Sequence, residues 1–156
     1  MAIEIEHKFL LANETWRNHI SHSATMRQGY LSSNSNNSVR VRISNEKAWL
    51  NIKSATAGNQ RYEYEYEIPT HDADEIIGTL CRKPLIEKIR HFVLHDNHTW
   101  EIDEFSGENK GLIVAEIELS RQNEEFTIPD WIGKEVTNDL RYYNNKLSEH
   151  PYNAWN

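Results

Sequence analysis

The sequence predicts an all-β-dominated domain in which about eight antiparallel strands close into a barrel flanked by a few helices. Apolar and polar residues alternate over many short stretches, which is typical of strands that bury one face. β-Branched and aromatic residues occupy many of the apolar positions, as strands prefer. Short polar turns separate several of the stretches, and such turns favour antiparallel hairpins over parallel crossovers.

The strand predictions rest on this alternation. It is longest from Arg61 to Ile68, and it is equally regular in Ile3-Glu4-Ile5-Glu6 at the start of the chain. Turns such as Ser44-Asn45-Glu46 join neighbouring stretches into hairpins. The predicted strands are 2–10, 24–31, 38–44, 47–54, 60–68, 86–95, 98–106 and 111–120.

Three helical segments are predicted. The first lies around 13–17, the second begins at Thr70 and is stopped by Pro84, and the third opens at Thr137 and is ended by Pro151. The chain contains no repeat and no linker, so residues 1–156 are interpreted as one domain. We expect the helices and several tryptophans to cover part of the outside of the barrel, namely Trp16, Trp49, Trp100 and Trp131.

Composition excludes several classes of protein. The 156 residues include 17 Lys and Arg against 24 Asp and Glu, a net charge of −7, whereas a general nucleic-acid binder carries a basic surplus. No apolar run is long enough to span a membrane, and the acidic start is unlike a secretory signal. The single cysteine, Cys81, permits no internal disulfide. We expect a cytoplasmic protein without nucleic-acid or membrane partners, and we leave a homodimer open.

The charged residues form like-charged pairs two positions apart. Such residues lie about 7 Å apart on one face of a strand and repel each other. A solvated outer face is the simplest interpretation, but five such pairs in one small domain indicate a counter-ion. The acidic pairs are Glu4/Glu6, Glu63/Glu65 and Glu116/Glu118, and the basic pairs are Arg40/Arg42 and Lys88/Arg90.

A closed barrel turns every residue of one parity inward, so the charged parity is expected to line the interior. Uncompensated charges cost several kcal/mol each when buried, so such an interior requires a charged ligand. Carboxylates bind Mg²⁺ or Mn²⁺, while Arg and Lys bind phosphate oxygens. The pattern therefore predicts a polyanion bridged by a divalent metal.

The motif Glu4-x-Glu6-x-Lys8 resembles the ExExK signature of the CYTH superfamily, the triphosphate tunnel metalloenzymes. The resemblance extends in order from residue 3 to about residue 147. It implies an eight-stranded antiparallel tunnel that holds a triphosphate and a divalent metal, Mg²⁺ or Mn²⁺. The other matching motifs are Gln28-Gly29-Tyr30-Leu31, Val39-Arg40-Val41-Arg42, Lys53, Arg61-x-Glu63-x-Glu65, Lys88-x-Arg90, Asp103, Glu116-x-Glu118, Lys134-Glu135-Val136-Thr137 and Arg141-Tyr142-Tyr143-Asn144.

The resemblance also implies roles for individual residues. The expected triphosphate ligands are Lys8, Arg40, Arg42, Lys53, Lys88, Arg90 and Lys134. The expected metal ligands are Glu4, Glu6, Asp103, Glu116 and Glu118. The residues assigned to catalysis are Lys8, Arg61, Glu63 and Glu65, the two glutamates near a second metal or the attacking water. Glu67 and Glu101 share the inward parity but fall outside the motifs, so they are not included.

These residues predict a metal-dependent hydrolase that cleaves the terminal phosphate of a triphosphate. Inorganic triphosphate is favoured as the substrate, because no motif is assignable to a nucleobase or a thiamine ring. The alternatives are a thiamine triphosphatase, a class IV-type adenylate cyclase, and a non-catalytic module that binds polyphosphate or a nucleotide. A module of the last kind would need the basic residues but would be hindered by so many carboxylates.

Overall fold

The computed structural model describes residues 3–55 and 58–155 of the chain. Two α-helices and nine strands lie in these residues. The helices are α1 (Thr70–Thr79) and α2 (Asn144–Leu147). The strands are β1 (Ile3–Leu11), β2 (Ile20–Ser33), β3 (Asn37–Ser44), β4 (Lys47–Ser54), β5 (Gln60–Ile68), β6 (Ile86–His95), β7 (His98–Phe105), β8 (Ile113–Leu119) and β9 (Ile132–Glu135).

Eight of the strands close into an antiparallel barrel in the order β5-β4-β3-β2-β6-β7-β8-β1. The ring closes where β1 pairs with β5, with Glu4 opposite Arg61. The short strand β9 is added beside β1, outside the ring. The predicted fold class is therefore confirmed, with one strand that the sequence pattern did not predict.

The strand predictions agree closely with the structure. The main exception is β2, which starts at Ile20 because Ile20 and His22 pair with Val93 and Phe92 of β6, although this part of the sequence is mostly polar. The predicted first strand began at residue 2, which lies outside the described residues.

The helix predictions are less accurate. The second helix is confirmed as α1, but the first is a 3₁₀ helix over Thr15–His19. A continuous helix from Thr137 is wrong, since the structure has a 3₁₀ turn at Leu140–Tyr142 followed by α2. The Thr137 hydroxyl oxygen instead accepts a hydrogen bond from the backbone N–H of Lys8 at 3.0 Å, which ties this segment to β1.

Apolar residues form three clusters; the first two cover the outside of the barrel, whereas the third has inward parity, since its Tyr30 and Phe105 lie opposite Arg40 and Lys88. One surrounds the fully buried Trp16 and Trp100 together with Trp131. The second lies under α1, and the third is formed by residues of the C-terminal segment against β2, β6 and β7. The expectation for Trp49 is wrong: it lies opposite Arg42 and Glu67, on the charged face of β4.

None of the helices in the described ranges combines the length and the apolarity that a membrane-spanning helix requires.

Candidate active site

A cavity of about 280 Å³ occupies the interior of the barrel. Its wall carries seven carboxylates and six cationic side chains. The carboxylates are Glu4, Glu6, Glu63, Glu65, Glu101, Glu116 and Glu118, and the cations are Lys8, Arg40, Arg42, Lys53, Arg61 and Arg90. Tyr30, Ser38, Tyr143, Asn144 and Asn145 complete the lining.

Strand alternation explains why these residues meet. Residues two apart on a strand share a face, and directly opposite residues on neighbouring strands share it too. On β1 and β8, Glu6 lies opposite Glu118 and Lys8 lies opposite Glu116. Charges of both signs are therefore brought to one interior surface by pairs of adjacent strands.

One part of the wall is an ion-pair network around β1. The Lys8 ammonium lies 2.6 Å from Glu116 and 3.2 Å from Glu6. Burial lowers the pKa of Lys8, but attraction to these two carboxylates outweighs it and raises the pKa above its usual value. The guanidinium of Arg61 lies 3.2 Å from Glu4 and 3.0 Å from Glu6.

A second part of the wall is buried. The carboxylate of Asp103 is fully buried and accepts hydrogen bonds from Arg90 Nε and Lys88 Nζ, both at 2.7 Å. Burial and the charges of Arg90 and Arg42 lower the pKa of Lys88 to about 7, against the attraction of Asp103. Neither Asp103 nor Lys88 is among the residues that line the cavity.

This placement favours a structural role for Asp103 over the predicted role as a metal ligand. Both of its oxygens already accept hydrogen bonds from Arg90 and Lys88, so the carboxylate faces the wall and positions these two cations. Lys88, expected to bind triphosphate, lies in the same buried layer.

Two guanidinium groups on β3 have no carboxylate partner in the described parts of the chain. Arg40 lines the cavity, is 6% exposed, and has a buried Nε without a hydrogen-bond partner. Arg42 donates only to the side-chain oxygen of Gln28, at 2.7 Å. Burial and the charges of Arg40 and Arg90 lower the pKa of Arg42 to about 9. Two adjacent cations in this state are a site for an anion.

Glu118 also lacks a partner of opposite charge among the described residues, but here the missing charge is positive. Within the described residues no cationic side chain pairs with it, and it faces Glu6 across the β1–β8 ladder. Burial, together with the charges of Glu4, Glu101, Glu63 and Glu6, raises the pKa of Glu118 to about 7. Its carboxylate neighbours each pair with a cation, so the missing positive charge is specific to Glu118. Within the described ranges, no group of three or more His, Cys, Asp or Glu side chains is already arranged to hold a metal ion.

The structure brings most of the predicted site residues to the cavity. Twelve of them line it, and Lys88 and Asp103 lie directly behind its wall. Lys134 is the exception: it is exposed on β9 and lines a separate surface cavity with Asp139. Since β9 lies outside the closed ring, its side chains do not contribute to the interior, and the expectation that Lys134 binds the triphosphate is not supported.

Several polar residues of the site were not predicted from the sequence. Glu101 lines the cavity and contacts Arg90 at 2.9 Å, and its inward parity was the signal that could have identified it. Asn51 is 2% exposed and donates to Glu63 at 3.1 Å and to Glu65 at 2.9 Å, which holds both carboxylates in place. Tyr143 and Asn144 come from the C-terminal segment, where no periodicity indicates direction.

Comparisons with known proteins agree with this architecture. The CYTH domain model matches residues 2–152. A protein of Acetivibrio thermocellus named inorganic triphosphatase is 47% identical over 152 residues, which cover 97% of each chain. One of Nitrosomonas europaea with the same name is 33% identical over 149 residues, covering 93% of this chain and 96% of the relative.

A solved structure of an inorganic triphosphatase has the same fold. It matches with a TM-score of 0.68 and 31% identity, and the alignment covers 95% of each chain. The family match over nearly the whole length, the two relatives and the closed barrel with its charged interior lead to one conclusion. The chain belongs to the CYTH domain family.

Proposed function

We propose that this protein is a divalent-metal-dependent hydrolase that cleaves the terminal phosphate of inorganic triphosphate inside the barrel. The observation that carries the proposal is the pair of opposite charge deficiencies in one cavity, unmatched guanidinium groups at Arg40 and Arg42 and an unmatched carboxylate at Glu118 among the described residues. A polyanion with a bound metal ion complements both. The names of the two relatives and of the solved structure support the same substrate.

The metal ligands in this proposal are Glu4, Glu6, Glu116 and Glu118. Their carboxylate oxygens are the donors that Mg²⁺ and Mn²⁺ prefer, so the residues fit such an ion. When bound, the ion supplies positive charge to the phosphate oxygens. Its charge would also offset the carboxylate repulsion that, together with burial, raises the pKa of Glu118.

In this proposal, the cationic side chains of the cavity wall bind the triphosphate. Arg40, Arg42, Arg90 and Lys53 donate hydrogen bonds to its oxygens and neutralise the charge that develops on them during phosphoryl transfer. Lys88 and Asp103 hold Arg90 from behind.

Hydrolysis requires a water molecule in line with the bond that breaks. Glu63 and Glu65, fixed by Asn51, are the proposed carboxylates that orient this water and accept its proton. The products are phosphate and pyrophosphate. Lys8 and Arg61 hold the acids of β1 in place and offset their charge next to the substrate.

The lining favours an inorganic substrate over an organic one. The aromatic rings among the described lining residues are Tyr30 and Tyr143. The ring of Tyr143 is already in contact with cations, 5.1 Å from Lys8 and 4.8 Å from Arg61. The remaining lining side chains are charged or polar, so the cavity suits phosphate groups better than a base or a thiamine ring.

The test is phosphate release from a panel of substrates: inorganic triphosphate, pyrophosphate, thiamine triphosphate, ATP and long-chain polyphosphate. Each is assayed with Mg²⁺, with Mn²⁺ and with a chelator. We expect release from inorganic triphosphate to exceed that from every other substrate and to stop in the chelator. Loss of ATP without phosphate release would indicate a cyclase, and tight binding without turnover would indicate a binding module.

We also propose that residues 1–156 act as one domain in the cytoplasm. The free, buried thiol of Cys81 is in keeping with a reducing compartment.

A further inference from the structure

We propose that the side-chain amide of Asn144 donates a hydrogen bond to a phosphate oxygen of the substrate, and that Gln28 fixes the orientation of that amide. This inference rests on the proposed function, because it assigns a further ligand of the same triphosphate. The supporting observation is a chain of hydrogen bonds whose direction is set at both ends by donors, Arg42 and Lys88.

The first end of the chain is Arg42. Its Nε lies 2.7 Å from the side-chain oxygen of Gln28, a fully buried residue of β2. A guanidinium group donates and does not accept, so the oxygen of Gln28 must face Arg42. The amide nitrogen of Gln28 then points the other way, and it donates to the side-chain oxygen of Asn144 at 3.2 Å.

The second end is Lys88. Its ammonium group donates to the same oxygen of Asn144, at 2.9 Å. The two ends of an amide side chain have nearly the same shape, so its orientation is decided by its hydrogen-bond partners. Here Arg42 and Lys88 require the same arrangement from opposite ends, with the oxygen of Asn144 facing the wall.

The amide nitrogen of Asn144 is left over by this arrangement. It has no hydrogen-bond partner in the described part of the chain, and Asn144 lines the cavity. Two N–H donors are therefore available at the cavity wall, next to Arg42 and Lys88. A neutral donor suits this place, since a further cation would be repelled by both neighbours.

The backbone holds Asn144 where this donor is needed. The hydroxyl group of the preceding residue, Tyr143, lies within hydrogen-bond distance of two carbonyl oxygens, 2.7 Å from that of Thr137 and 3.0 Å from that of Gly58. In the same short helix, Leu147 is fully buried in an apolar cluster. The position of Asn144 is thus fixed before a substrate binds, which lowers the entropic cost of using it as a ligand.

The test is steady-state hydrolysis of inorganic triphosphate with Mg²⁺ by the full-length Asn144→Asp variant. The new carboxylate still accepts from Lys88 and Gln28, so the unfolding midpoint is expected to stay at the wild-type value. The group that faces the substrate changes from a donor to an anion. We expect KM to rise by about tenfold or more, and kcat to change by less than about threefold.

Two further variants keep the test decisive if Asn144→Asp fails to fold. Asn144→Ala removes the donor without adding a charge, and its KM is expected to rise less than that of Asn144→Asp. Gln28→Glu still accepts from Arg42 but no longer donates to Asn144; because its charge also pairs with Arg42, its expected rise in KM supports the inference only together with a rise in Asn144→Ala. The matched control is Asn153→Asp, the same change at an exposed position of the C-terminal segment, with wild-type kinetics expected.

A wild-type KM in folded Asn144→Asp and Asn144→Ala, alongside an active wild-type enzyme, would overturn this inference. Absence of triphosphate hydrolysis by the wild-type protein would instead overturn the proposed function. The KM of the three variants and the activity of the wild type therefore report on separate claims.

Discussion

The charges on two parts of the barrel wall are satisfied to very different degrees. Between β6 and β7, Asp103 is shared by Lys88 and Arg90, and all three side chains are buried with short hydrogen bonds. On β3, Arg40 and Arg42 are also largely buried, yet they have no carboxylate partner in the described chain. The carboxylate of Asp103 therefore compensates the charges of the first group, and Arg90 alone of that group also lines the cavity, whereas Arg40 and Arg42 have no such compensation.

This difference in charge pairing distinguishes side chains that stabilise the barrel from side chains that are available to bind a substrate. A buried charge without a partner destabilises a fold, so its persistence indicates a ligand that supplies the missing charge. Glu118 is more exposed than Arg40, but it also lacks a partner of opposite charge among the described residues, and partial burial together with neighbouring carboxylates raises its pKa to about 7. Stability and activity should therefore depend on different residues of the same wall.

The largest expected effect is on stability. Changing Asp103→Asn leaves Lys88 and Arg90 buried without their counter-charge, which should lower the free energy of unfolding by about 3–5 kcal/mol. Urea denaturation measures it. Asp96→Asn, an exposed change in the β6–β7 turn, is the control and should change stability by less than about 0.5 kcal/mol. If Asp103→Asn were as mild as its control, Asp103 would not be the centre of a structural cluster.

The next effect is on activity alone. Arg40→Gln removes an unmatched guanidinium group from the cavity, and we expect kcat/KM for inorganic triphosphate to fall by about 100-fold. Its unfolding midpoint should equal or exceed that of the wild type, because repulsion with Arg42 is relieved. Arg121→Gln, at an exposed position, is the control. A variant that lost stability along with activity would place Arg40 among the structural residues.

A smaller effect is expected at Glu118. The variant Glu118→Gln should require about 10–100-fold more Mg²⁺ for half-maximal activity, because one carboxylate ligand is lost. Mg²⁺ titration of the hydrolysis rate measures the shift. A dependence equal to that of the wild type would remove Glu118 from the metal site.

The raised pKa of Glu118 also predicts that the stability of the metal-free protein depends on pH. The pKa of Glu118 is about 7 in the folded state, against an ordinary 4.5, so the folded state keeps a proton that the unfolded state loses in this window. The wild-type unfolding midpoint should therefore fall as the pH rises from about 4.5 to 7, and the Glu118→Gln variant should lack this part of the fall. Parallel curves for the two proteins would contradict the predicted cluster.

The smallest effect is expected at Lys134. It is exposed on β9 and outside the ring, so Lys134→Ala should leave kcat/KM within about twofold of the wild type. A loss of tenfold or more would mean that β9 moves toward the cavity when substrate binds.

Strand parity explains which parts of the site were predictable. Once Glu4 and Glu6 are known to face inward, the alternation along β1 also directs Lys8 inward, and the same reasoning applies to Arg40 and Arg42 on β3. Parity does not report depth, and neither does the resemblance that implied a metal-binding role for Asp103, which lies behind the wall.

The C-terminal part of the site depended on contacts that no local pattern encodes. Asn144 meets Gln28 across 116 positions of sequence, and its segment has neither strand alternation nor a continuous helix. Trp49 illustrates the opposite error, because its apolar character suggested the outer face although its neighbours Asn51 and Lys53 set its parity inward.

The central claim is that the unmatched guanidinium groups form the substrate site. The most direct measurement is the unfolding midpoint of wild-type protein and Arg40→Gln as inorganic triphosphate is added in the presence of a chelator, since a ligand that binds the folded state raises it. The account predicts a concentration-dependent rise for the wild type and little or none for Arg40→Gln. An equal rise in both proteins, or no rise in the wild type, would contradict it.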